Sequence, residues 1–357
     1  IHSDLARRIA RAIGAALTLS EQDRINATPT ENLEAYDFYV LGRDRWMSRR
    51  GSANREAIAF YESAISEDPE FALAHAALAQ AHVTLAVHVF EGVDLHQEYA
   101  LAKAAVRRAM ELDPDLPEAH AALGLITSGY DWDWDGAEGH FLRAIELNPG
   151  DAETRAWYSS LLLALGRPDE ANAQAKVAVE LDPISYNAVR AFLASATEED
   201  ERQVQQTLNR ILQARPENPY IRMLIGTFLW QQGRYDEAVD EFMPLLAEEY
   251  GFHEPDSLRA LLHLAGIPEG QARAGNIIRY MEEQAPGIRT ISPFLFLNYG
   301  LFEEALAGAE YLVRRRDYGA TALGADVWAP LYSDPRYLAL LDEVGLPHPQ
   351  IRGLDGG

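Results

Sequence analysis

Residues 137–149, "AEGHFLRAIELNP", carry a spacing that recurs along the chain: Ala137, an aromatic four residues on at Phe141, a second alanine at Ala144, and Pro149. The same arrangement returns as Ala57, Tyr61, Ala64 and Pro69, as Ala102, Val106, Ala109 and Pro114, and as Ala171, Ala175, Ala178 and Pro183. Successive prolines from Pro69, continued to Pro216, stand 45, 35, 34 and 33 residues apart. A period of that size marks a stack of like units. It also accounts for a length of 357 residues, which exceeds what one compact core usually organises.

Each position has a physical task that predicts an antiparallel helix hairpin. Small alanines let two helices approach, and the aromatic fills the space between them. The proline stops the second helix, because it has no N–H and clashes with the preceding turn. Asp68, Asp113, Asn148 and Asp182, each just before a proline, favour the turn into the next hairpin. In "LGRPDEA" and "QGRYDEA", Gly166 and Gly233 are expected in the left-handed conformation between paired helices. The stretch "DWDWDG", residues 131–136, has the alternating carboxylates and glycine of half a calcium loop, but the twelfth position is Leu142, which cannot be a ligand. Its aspartates are expected to start a helix and its tryptophans to pack on neighbours.

A 34-residue period with A-x3-F and a terminal proline resembles the tetratricopeptide repeat, whose first half is also present as Leu123-Gly124 and as Leu224-Ile225-Gly226. The run from Tyr130 to Pro183, the junction "RINATPTENLEAYDFYVLGR" and the ending "LYSDPRYLALLDEVGLP" are similar to the arrays found behind TolB-like domains in bacterial adenylate cyclases and CadC-type winged-helix regulators. The resemblance implies an all-α chain: an elongated, right-handed α-α superhelix of six to eight hairpins. We divide it into residues 1–27 as an N-terminal helix left from an upstream domain, 28–325 as the repeat array, and 326–357 as a capping helix and tail. Asp334 and Pro335 should open that last helix and Gly345 close it. In the resembled proteins the array is an interaction or sensory module, so the implied function is binding a protein or peptide in a concave groove. The alternatives are sensing a small ligand for a cyclase or regulator, and structural homodimerisation.

Composition narrows the classes. There are 31 basic and 55 acidic residues, a net charge of −24, which argues against direct nucleic-acid binding. No cysteine is present, so thiol nucleophiles and thiolate metal sites are excluded. No apolar run reaches the roughly 18 residues that would cross a bilayer. The expected compartment is the cytoplasm, or the periplasm if an upstream part spans the membrane, and the start at Ile1 suggests a fragment or processed product. The chain has no H-E-x-x-H, G-x-S-x-G, G-x-G-x-x-G or phosphate-loop motif, and we expect no catalysis and no cofactor. His75, His82 and His88 read as packing or surface side chains.

Departures from the repeat mark places of individuality. They are the insertion around "AVHVFEGVDLHQEY", the replacement of alanines by Val204 and Ile211 in the fifth unit, and Pro244 with "EEYGFHEPDS" after the sixth. The register aims Tyr39, Arg43, Trp46, Gln80, Leu125, Ser160, Met223, Thr227 and Trp230 into the groove. A mixed, rather apolar surface of this kind predicts recognition of an extended or helical segment through apolar and aromatic contacts.

Overall fold

The computed structural model describes residues 29–47, 51–87, 93–264, 267, 270–316, 318–324 and 326–348. Within them the chain is a succession of helices with no strand. Eight consecutive pairs follow one another: α1 (Leu33–Met47) with α2 (Gly51–Glu67), α3 (Ala72–Val87) with α4 (Leu95–Leu112), α5 (Pro117–Ile126) with α6 (Trp134–Leu147), α7 (Ala152–Ala164) with α8 (Pro168–Leu181), α9 (Tyr186–Ser195) with α10 (Glu201–Ala214), α11 (Pro219–Gln231) with α12 (Tyr235–Tyr250), α13 (Pro255–Leu262) with α14 (Gln271–Gln284), and α15 (Ser292–Asn298) with α16 (Phe302–Arg315). Two 3₁₀ segments, Tyr318–Gly324 and Asp326–Leu331, lead to α17 (Pro335–Val344). The segment 1–27 and part of the insertion, residues 88–92, lie outside the described residues. The N-terminal-helix expectation and His88 fall there.

The repeat signature does what its chemistry requires. Ala57, Ala64, Ala102, Ala109, Ala137, Ala144, Ala171 and Ala178 are all buried. Opposite the signature aromatic sits a glycine of the first helix. A Cβ at Gly124 would stand 2.6 Å from Phe141, and one at Gly226 would stand 2.9 Å from Phe242. Gly124→Ala is therefore expected to overpack hairpin three and lower its stability by about 1–3 kcal/mol. Denaturant unfolding followed by circular dichroism checks this; an unchanged midpoint would show that the ring moves freely aside.

The turns between hairpins also repeat. Asp68, Asp113 and Asp182 accept the backbone N–H two residues on, at 3.0–3.1 Å, and so shape the turn around the proline. The carbonyl of that proline then accepts from the first turn and a half of the next helix: His75 donates to Pro69, His120 to Pro114 and Arg155 to Pro149, at 3.0–3.1 Å. His75 is thus a clasp between hairpins. His82 is buried and paired with Glu98 at 2.6 Å. Gly166 and Gly233 have φ of 69° and 73°, the left-handed turn expected of them. Asp133 caps α6 by accepting from Gly136 N, and Asp131 pairs with Lys103. Trp134 is in the core.

Two departures from the repeat take a definite form, and the expected elongation is corrected. Helix α12 runs through Pro244 without a break and ends at Gly251 in the left-handed conformation. The fifth unit buries Val204 and Ile211, and its two helices sit apart: α9 lies mainly along α7 and α8 and meets α10 over a short stretch. The array is also not an open, elongated rod. Trp46 meets Trp157 edge to face at 6.3 Å, Arg215 donates to the Met47 carbonyl at 3.3 Å, and Trp134 Nε1 donates to the Val344 carbonyl at 2.8 Å. Both ends of the stack therefore touch its middle. Helix α17 starts at Pro335 with Asp334 as N-cap and ends at Gly345, φ 68°.

Candidate partner-binding face

The first helices of the hairpins carry the side chains that the register directs inward. In the early hairpins that face is filled by the protein itself. Tyr39 is 5% exposed, ringed by Tyr36, Tyr61 and Phe71 at 5.4–6.2 Å, and burial pushes its hydroxyl up to about 12. Trp46 is 8% exposed and donates from Nε1 to Thr84 Oγ1 at 3.0 Å. Leu125 is 8% exposed. Tyr39, Trp46 and Leu125 are thus buried side chains: aromatics of the first hairpin and Phe71 surround Tyr39, and Trp157 of α7 meets Trp46. Gln80 is half-buried and donates to the Glu118 carbonyl at 3.1 Å, tying α3 to the start of α5. Arg43 is exposed, with its guanidinium 5.9 Å from the Tyr39 ring.

The later hairpins differ. Ser160 on α7 and Met223, Thr227 and Trp230 on α11 are half-buried, and Thr227 returns its hydroxyl to the Met223 carbonyl at 3.0 Å. Between these helices α9 contributes Arg190, half-buried, whose Nη2 donates to Ser160 Oγ at 3.1 Å. Arg190 stands seven residues after Pro183, as Ala156 does after Pro149 and Met223 after Pro216. The repeat register therefore points to it, although the weak fifth unit conceals the alignment. The structure brings Ser160 and Arg190 together and leaves Trp46 and Trp230 apart in role, one in the core and one half-open. A separate cavity of about 340 Å³ opens between α10, α11 and α12, lined by Leu208, Leu212 and Phe228 with Arg234, Glu237 and Glu241. Among the described residues no cluster of three metal-ligating side chains occurs, and no helix is long and apolar enough to cross a membrane.

Comparison with known proteins agrees with this architecture. Residues 133–185 and 205–250 match the tetratricopeptide repeat. Over 168 residues the chain is 27% identical to cellulose synthase operon protein C of Pseudomonas fluorescens (strain SBW25), an alignment covering 44% of this chain and 13% of that protein. Over 131 residues it is 27% identical to a protein of Rhizobium meliloti (strain 1021) named as a candidate adenylate cyclase, covering 36% of this chain and 22% of the other. The chain thus spans less than a quarter of either relative. Among solved structures, the yeast Tom70 aligns over 88% of this chain and 68% of its own, with 17% identity and a TM-score of 0.43. PilF of Pseudomonas aeruginosa aligns over 63% and 96%, with 20% identity and a TM-score of 0.40.

Proposed function

We propose that this chain is a noncatalytic protein-interaction module of a bacterial signalling protein, and that it binds a polypeptide segment along the inner face of hairpins four to six. The observation that carries the reading is Arg190. A guanidinium has five donors, and this one gives a hydrogen bond to a neutral hydroxyl, Ser160. Its remaining donors suit a carboxylate on a ligand, while Met223 and Trp230, on the same register face, supply apolar anchors. The partner is therefore a segment with an acidic residue beside large apolar ones. The signalling context is supported by the similarity to the Rhizobium protein.

Selection of displayed peptides against the full chain tests this. Selected binders are expected to lose about 2 kcal/mol or more of affinity with Trp230→Ala, to weaken with Arg190→Ala, and to be indifferent to Leu142→Ala on an exposed position of α6. Binders untouched by both inner-face substitutions, in variants shown to be folded, would refute the assignment. If selection yields none and a metabolite raises the melting temperature saturably, the cavity between α10, α11 and α12 would favour the ligand-sensing alternative.

A further inference from the structure

Away from the inner face of hairpins four to six, the first helices of hairpins two to four already hold a polypeptide segment. The 3₁₀ stretch Tyr318–Gly324 lies against α3, against the π turn Thr127–Asp131 that closes α5, and against α7. Its fit is close at one point above all: a Cβ at Gly324 would collide with the Ala164 carbonyl at the end of α7. Ala320 and Leu323 are fully buried. Glycine is therefore required by the approach of one backbone to another, since φ is not in the left-handed region here.

Two residues hold this segment at its root, and both carry backbone strain. Among the described residues, Trp132 (φ 58°) and Arg316 (φ 53°) are the non-glycine residues in the left-handed region, a rare state for bulky side chains. They touch each other. The Arg316 guanidinium lies 4.6 Å from the Trp132 ring and 5.8 Å from that of Tyr130, and its Nη1 donates to the Tyr130 carbonyl at 2.9 Å. A π turn, a strained tryptophan and a strained arginine thus meet where the segment leaves α16, a concentration of local cost typical of sites that exchange between states.

We infer that the surface formed by α3, the π turn and the end of α7 is a second recognition site, filled here in cis, for a polypeptide segment of the form small residue, two residues, leucine, glycine. The segment Ala320-Thr321-Ala322-Leu323-Gly324 is its internal occupant, and an external segment of the same chemistry takes its place when the Arg316 clasp opens.

The test uses the full chain and a labelled peptide of residues 318–331. Gly324→Val in the chain bars the internal segment from its seat, so this variant is expected to bind the peptide at least tenfold more tightly than the wild-type chain. A peptide carrying Gly324→Val is expected not to bind. Arg316→Ala, which removes the clasp on Tyr130 of the π turn and leaves the contact of Gly324 with Ala164 in place, is expected to raise peptide affinity as well. Adding Trp230→Ala should change nothing, which separates this site from the inner face of hairpins four to six. The inference is overturned if folded Gly324→Val protein binds the peptide no better than wild type, or if the wild-type and valine peptides bind alike. It is also overturned if neither variant folds, because the segment would then be inseparable core.

Discussion

Trp328→Ala is expected to lower stability by about 3–5 kcal/mol, the usual cost of emptying a large aromatic site. Trp328 is fully buried, stacked on Tyr337 at 5.8 Å and met edge-on by Phe294 at 5.6 Å. Tyr337 in turn donates its hydroxyl to the Leu323 carbonyl, so the indole underlies the packing of both 3₁₀ segments and α17. In an ordinary repeat array such a loss stays near the end of the stack. Here the terminal segment also contacts α3 and α7, and the destabilisation should extend to hairpins two to four. The indole N–H has no hydrogen-bond partner among the described residues. A phenylalanine removes that buried donor while keeping most of the volume, so Trp328→Phe should cost less than about 1.5 kcal/mol. Denaturant melts of both variants, with amide exchange read separately for α3 and α7, decide the matter. Equal losses for Ala and Phe, or protection unchanged in α3 and α7, would contradict this account.

The second large effect lies at Asp200, 5% exposed at the start of α10. Burial alone would raise its pKa, but Lys176 at 2.6 Å, the Thr197 backbone N–H and hydroxyl, and Asn172 all donate to it and hold it at about 2. A carboxylate depressed from 3.8 contributes about 2 kcal/mol at neutral pH. The folded state favours the ionised form, so that stability is complete above roughly pH 5 and is lost as pH falls through 4 towards 2. Asp200→Asn is expected to destabilise by about 2 kcal/mol at pH 7. The gap to wild type should narrow by roughly 1 kcal/mol by pH 3, because the unfolded carboxyl takes up its proton there while the native one stays largely ionised. A difference independent of pH between 7 and 3 would mean that the charge contributes nothing.

Much of this architecture is legible in sequence because the forces that shape a hairpin act within about one repeat. Ala137, Phe141, Ala144 and Pro149 meet partners supplied by the same or adjacent helices, and the glycine opposite each ring, such as Gly124, lies within the same unit. Helix ends at Gly166, Gly233 and Gly345 follow from the φ that only glycine adopts without penalty. The proposed binding face is legible only in part. Register alone aims Tyr39, Trp46 and Leu125 inward together with Met223, Thr227 and Trp230, and it makes no distinction between hairpins whose inner face is covered and those whose face is half-open.

That distinction belongs to tertiary structure. Small rotations between successive hairpins add up until Trp46 meets Trp157 and Arg215 reaches Met47, contacts that no local spacing encodes. The same holds for the seat of residues 318–324. Nothing periodic marks "YGATALG" as the occupant of a surface built more than 150 residues earlier, and Gly324 shows its need for a missing Cβ only when the Ala164 carbonyl stands beside it. Alanine, proline and glycine spacing determined the unit and its repetition. Which faces the curl leaves open, and which it closes with the chain's own C-terminal segment, was decided by the summed geometry of the whole stack.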